Sequence, residues 1–170
     1  MGGALLFEGS LSARAVPFSA LPDDTLAEAI RYVGENLREA DVAEIRATMV
    51  GDPAEILQAS AMGSTLGWVM VNATGLPVAL FGVAPHGIPG VGVPWMVATP
   101  EALKERLSWA RQTRRHVDEM LEVFPTLTNH IDARNDASLD WLLWAGFDLI
   151  DAKSNHGPEG RLFLQFMKAR

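Results

Sequence analysis

Between residues 22 and 62 the apolar side chains recur at helical spacing. Leu26, Ile30, Val33 and Leu37 follow the helix entry Pro22-Asp23-Asp24 at i, i+4, i+7 and i+11, which puts one buried stripe on a first helix. Val42, Ile45 and Met49 form a second, shorter stripe that Gly51 would end. Asp52-Pro53-Ala54-Glu55 joins an N-cap aspartate, a proline at the first helical position and a glutamate placed for a capping box, and predicts a third helix to about Met62.

Beyond that point the period changes. Leu66–Ala73 (LGWVMVNA) and Leu76–Ala84 (LPVALFGVA) are short runs of Val, Leu and aromatics around a Thr74-Gly75 turn, the pattern of a β-hairpin. The loop Pro85–Gly90 leads to another apolar strand, Val91–Ala98, in which Pro94 weakens regular pairing. Thr99-Pro100-Glu101 reads as an N-cap, opening a helix to about Phe124 with Leu103, Leu107, Ala110, Val117, Met120, Leu121 and Phe124 inward. Leu127–Ala133 alternates as a strand, and Asp136–Ala145 is a short helix with Gly146 at its C-cap. Phe147–Ile150 and Arg161–Lys168 are two last strands around a polar loop, Asp151–Gly160. With a first strand at Arg14–Phe18, the order predicts the α+β class: a single mixed sheet of about seven strands flanked by about four helices. The expectation is one domain over residues 1–170, with residues 1–12 as a flexible arm.

Length and charge narrow the classes. At 170 residues the chain can bury a substantial core, and with no cysteine it has no disulfide, thiol nucleophile or thiolate metal site. A net charge of −7 speaks against a broad nucleic-acid surface. The longest apolar runs, around Val69–Val71 and Val78–Val83, fall well short of the roughly 20 residues that cross a bilayer. A cytoplasmic protein with neither nucleic acid nor membrane as partner is expected.

The most specific pattern lies at Asn135–Phe147, NDASLDWLLWAGF. It resembles the close of the GNAT (Gcn-related N-acetyltransferase) fold, N-x-x-[AS]-x-x-x-Y-x-x-x-G-F, with Asn135, Ser138, Gly146 and Phe147 at the matching spacings. The order of elements is similar too. The resemblance implies acetyl transfer from acetyl-CoA to an amine acceptor, with the splayed fourth and fifth strands holding pantetheine and backbone N–H groups before the central helix holding pyrophosphate. It implies cofactor contacts for the main chain of Met96, Val97 and Ala98, for Thr99 at the helix start, and for Asn135. The chain departs from the pattern twice. Leu142 stands where many members carry a tyrosine that protonates the leaving thiolate, and Arg106 and Ser108 stand where the phosphate loop has its glycines. Here Pro100 brings no N–H and Glu101 adds a negative charge to the first turn, so the sequence favours a helix start over an anion cradle.

A narrower resemblance joins LPVALFGVAP, PWMVATPEAL and LTNHIDARNDASLDWLLWAGF. Over about Asp41–Phe147 the chain is similar to the GNAT-like internal virion proteins of short-tailed bacteriophages, through Trp95, Thr99, Asn129, Asp132, Asn135, Trp141, Leu142, Gly146 and Phe147. That implies a phage-encoded protein of the host cytoplasm or virion, acting in assembly or particle content through phage or host protein partners.

Candidate bases for acetyl transfer are His130, Glu101 or water. His130 shares a strand face with Thr128 and Asp132, which suits either a base with an orienting carboxylate or a histidine in a polar patch. His86 sits in the loop where the family often meets its acceptor, which suits either an acceptor contact or a solvated loop, and His116 and His156 belong to no constellation. The histidines are scattered, and no metal site is expected. Arg111, Arg114, Arg115 and His116 form a basic helix face that suits either the 3′-phosphate of CoA or solvent, with Glu119 and Glu122 to pair it. Trp141 and Trp144, one helical turn apart, suit the core or a subunit contact, which leaves a homodimer open. Two functions remain: an acetyltransferase, or an inactive relative that works by binding proteins.

Overall fold

The computed structural model describes residues 7–170. Strands β1 (Arg14–Pro17), β2 (Leu66–Val71), β3 (Pro77–Pro85) and β4 (Val91–Ala98) form an antiparallel meander, buried on both faces in its centre. Trp68, Phe81 and Val83 point into one apolar layer, whereas Val69, Val71, Leu80 and Val97 point into the other. That two-sided burial is why these segments read as continuous apolar runs. Helices α1 (Asp23–Glu35), α2 (Glu39–Thr48) and α3 (Pro53–Met62) cover one face, and α4 (Arg106–Val123) and α5 (Asp136–Trp144) cover the other. Strands β5 (Thr126–Asp132), β6 (Asp148–His156) and β7 (Arg161–Ala169) complete a seven-stranded sheet of order β1-β2-β3-β4-β5-β7-β6. The α+β class and the strand number are as expected.

The join between β4 and β5 shapes the centre. These parallel strands pair only at Val91 with Thr126 and Gly92 with Leu127. Thr99 donates to Val78 O at 2.8 Å and His86 to Val91 O at 3.0 Å, so the odd-numbered residues of β4 turn their main chain to β3 and the even-numbered ones turn theirs to β5. Pro94 is even-numbered and has no N–H to give, so the ladder ends there. The Asn129 side chain takes up the slack, its Nδ2 donating to Pro94 O at 2.9 Å.

Past Pro94 the opened edge of β4 is held by α2. The Arg38 N–H donates to Ala98 O at 2.9 Å, and the Ala98 N–H donates to Asp41 Oδ2 at 3.0 Å. The Arg38 guanidinium donates to both Asp41 oxygens, at 2.8 and 2.9 Å. Asp41 is only 5% exposed, and these three donors compensate its burial.

Several local expectations are corrected. The long helix begins at Arg106, after a 3-10 turn at Pro100–Glu105, and Leu103 and Leu107 are 58% and 71% exposed. Thr99 continues the β pairing through its N–H and makes no cap bond with its side chain, while its carbonyl accepts the Ala102 N–H at 3.1 Å and so caps the 3-10 turn. Asp52 makes no side-chain cap bond either; its carbonyl accepts the Ile56 N–H at 3.0 Å. The expected loop Asp151–Gly160 is mostly strand, because pairing with β7 carries β6 on to His156 although nearly all of β6 is exposed. The turn that remains leans on α2: Gly157 has φ +67°, and a Cβ there would lie 1.9 Å from Ala47 O. Of the expected arm, residues 1–6 lie outside the described residues. Phe7 packs against the α1–α3 layer, and the Ser10 N–H donates to Ala73 O at 2.9 Å.

Asp41→Ala strands the Arg38 charge and orphans the Ala98 N–H, and its expected cost is about 3–5 kcal/mol in urea unfolding. Glu35→Ala, which removes an exposed pair with Arg31, is expected to change stability by less than about 0.5 kcal/mol.

Candidate functional site

The gap between β4 and β5 opens into a cavity of about 330 Å³ that passes from one face of the sheet to the other. On the α4–α5 side its walls include Phe81, Trp109, Trp141, Leu142 and Phe166; on the α2–α3 side they include Ile45, Met49, Ile56 and Leu57. By the alternation of β4, Met96 directs its N–H and C=O into the gap, and neither finds a partner among the described residues.

Glu44 enters this gap from α2, one helical turn after Asp41. Its Oε2 accepts Asn135 Nδ2 at 3.0 Å, and Asn135 itself is buried at the start of α5. Burial pushes the Glu44 carboxyl up to about 7; the Asn135 amide acts against that shift, and the Asp41 charge adds to it. A carboxyl that exchanges its proton near neutrality, inside an apolar cavity, has the properties of a general base.

The expected site residues divide. Met96, Val97 and Asn135 line the cavity, although the Val97 main chain is spent on β3. Ala98 and Thr99 do not line it: both polar groups of the Ala98 main chain are held by α2, and Thr99 Oγ1 is buried without a partner. His130 lines the cavity and stacks on His156 at 5.1 Å, with its pKa lowered by burial and by the charges of His156 and Lys153. Asp132 does not orient it. The Arg134 guanidinium grips Asp132 at 2.9 Å and holds its carboxyl below the usual range. Glu101 lies in the 3-10 turn, outside the cavity lining.

The expected basic face also changes. His116 is buried between Trp68 and Phe81, at 4.9 and 5.2 Å, with Nδ1 3.3 Å from Glu119 and its pKa lowered by burial. Arg115 pairs with Glu119 at 3.0 Å, and Arg114 sits 4.6 Å over the Trp144 ring. Of the two tryptophans on α5, Trp141 lines the cavity with its Nε1 buried and unpartnered, whereas Trp144 is 43% exposed.

Glu44 and Trp141 Nε1 were not singled out by sequence as site groups. The signal for Glu44 was present: Asp41 and Glu44 at i and i+3, beside the stripe of Ile45 and Met49, put two carboxylates on the inward edge of α2.

The gap thus joins apolar walls to the free main chain of Met96 and the side chains of Glu44 and Asn135. The phosphate end does not form a cradle. Pro100 lacks an N–H, Glu101 occupies the first turn, and Ser108 lies inside α4 with its Oγ donating to Ala13 O at 3.1 Å. Among the described residues no group of three or more His, Asp or Glu side chains is placed to hold a metal, and no helix is long and apolar enough to cross a membrane.

Solved structures share this architecture. The ribosomal-protein-S18-alanine N-acetyltransferase of Escherichia coli is similar over 92% of this chain and 93% of its own, with 12% identity and a TM-score of 0.64. A GCN5-related N-acetyltransferase from Kribbella flavida matches 94% of this chain and 98% of its own, with 16% identity and a TM-score of 0.64. A spermidine N-acetyltransferase mutant from Vibrio cholerae covers 94% and 95%, with 10% identity and a TM-score of 0.64. No protein-family model matches the sequence, and no curated protein matches it. The chain has the GNAT fold.

The Glu44 carboxyl ionises near pH 4.5 in an unfolded chain and at about 7 in the folded one. Its contribution to stability is therefore fully present below about pH 4.5 and lost as pH rises through 7. Glu44→Gln is expected to stabilise the protein at pH 8, by up to about 3 kcal/mol, and to lose that advantage near pH 4. Thermal melts across this range check it.

Proposed function

We propose that the chain is an N-acetyltransferase that transfers an acetyl group from acetyl-CoA to an amine, with Glu44 as the general base. The observation that supports this most is the Glu44 carboxyl, poised near neutrality in the gap of a GNAT fold. Bound acetyl-CoA would supply the acetyl group as a thioester. The chain's own residues do the rest. Ionised Glu44 takes a proton from the acceptor ammonium and frees the nitrogen lone pair; Asn135 Nδ2 fixes the orientation of the carboxylate. The Met96 N–H, unused by a neighbouring strand, is placed to donate to a carbonyl oxygen in the gap. The apolar walls keep water away. Leu142 has no proton to give, so the proton for the leaving group comes from water.

A second reading keeps the fold and drops the chemistry: a phage-encoded virion or assembly protein that binds phage or host proteins. It is favoured by the hold of Arg38 and Asp41 on Ala98 and by the lack of a phosphate cradle.

Calorimetric titration with acetyl-CoA separates the two. The acetyltransferase reading expects binding at micromolar to submillimolar concentration, transfer that rises with pH to a plateau above about 7, and a 10²–10⁴-fold loss of transfer in Glu44→Gln with binding little changed. Absence of binding at millimolar acetyl-CoA favours the second reading.

A further inference from the structure

The half of the cavity between α2 and α3 is nearly free of available polar groups. Thr48 Oγ1 donates to Glu44 O at 2.7 Å, and Ser60 Oγ donates to Ile56 O at 2.9 Å, so neither hydroxyl has a proton to give and each offers a ligand only a neutral oxygen. The Trp95 indole N–H donates to Ser64 Oγ at 2.7 Å. Asn129 uses its amide on Pro94 O and its carbonyl on the His130 N–H. Asp41 is held by Arg38 and Ala98. Glu44 remains, with the His130 ring, whose depressed pKa keeps it neutral. The walls around them are Ile45, Met49, Ile56, Leu57, Trp95 and Val97.

This chamber therefore offers one anionic point at the end of an apolar slot. A cation placed at Glu44 is matched; a second cation elsewhere in the slot meets no free carboxylate, since Asp41 is taken by Arg38, and finds only neutral hydroxyl oxygens against its desolvation cost. The cavity volume of about 330 Å³ lies at the low end for small-molecule sites. We infer that this chamber takes a primary amine on an uncharged apolar body, of the arylalkylamine type, and discriminates against polyamines and charged peptide segments. As the acceptor site for acetyl transfer it rests on the function proposed above, whereas its selectivity for amines can be read without any donor.

The test titrates the full chain at pH 8 with phenethylamine, its neutral analogue 2-phenylethanol, and spermidine, followed by calorimetry. Phenethylamine is expected to bind at least 10-fold more tightly than spermidine. Glu44→Gln is expected to weaken phenethylamine at least 10-fold while leaving 2-phenylethanol within 3-fold. Met49→Lys, at a half-exposed position on the chamber wall, brings a second cation without touching the core and is expected to weaken phenethylamine at least 10-fold. Equal or tighter binding of spermidine overturns the inference, as does failure of phenethylamine to bind. Binding of phenethylamine without acetyl transfer upholds the amine site and overturns the transferase reading. Transfer to spermidine but not to phenethylamine does the reverse.

Discussion

Because Pro94 presents a ring where β4 would otherwise offer an N–H to β5, two parallel strands that pair at Val91 and Gly92 separate beyond that point, and every polar group on the opened edge needs a partner from elsewhere. Much of the centre follows from this one missing donor. Asn129 bonds the Pro94 carbonyl, α2 brings Arg38 and Asp41 to Ala98, and Glu44 reaches Asn135 across the gap. What stays unpaired among the described residues is the Met96 main chain, in the middle of the opening. The cavity is the space those partners leave.

The two carboxylates of α2 do different work although they are one turn apart. Asp41 receives three strong donors and is a strut between helix and strand. Glu44 is partly buried with the neutral Asn135 amide and no ion pair among the described residues, so its proton is held up to about neutrality. An arrangement selected for stability alone would favour Gln or an apolar residue at that position, since an ionised buried carboxylate lowers folding stability at neutral pH. Retaining such a group at the mouth of a cavity is the pattern of a functional residue.

The sequence was most legible where the signal is local or repeated. The α1 stripe of Leu26, Ile30 and Val33, the β2–β3 hairpin and the glycine at 146, with φ +87°, all lie where the pattern puts them. Pro94 announced the interrupted strand, and the close of the GNAT pattern at Asn135–Phe147 announced the fold. Less legible were features that depend on distant partners. The exposed β6 is a strand because β7 pairs with it, and Thr99 caps only a 3-10 turn, through its carbonyl, while its N–H extends the pairing with Val78. His116 on α4 is buried because Trp68 of β2 and Phe81 of β3 enclose it. Glu44 acquires its properties from Asn135, 91 positions away in the chain.

The two ends of the gap set opposite demands on a donor ligand. In that proposal the acyl end offers apolar walls and a free main-chain N–H to a thioester arm. At the phosphate end, a cradle would add charge-assisted hydrogen bonds worth about 1.5–3 kcal/mol each, and Pro100 and Glu101 withhold them. Loss of two such bonds weakens binding by roughly 10²–10⁴-fold. Lys104 in the 3-10 turn and the exposed Arg106 at the start of α4 bring positive charge to the same end, but screened charge on flexible side chains recovers only part of that loss. On the function proposed above, recognition would shift from the phosphates toward the gap itself, so that the same few groups, Met96, Asn135 and Glu44, would have to carry both affinity and chemistry.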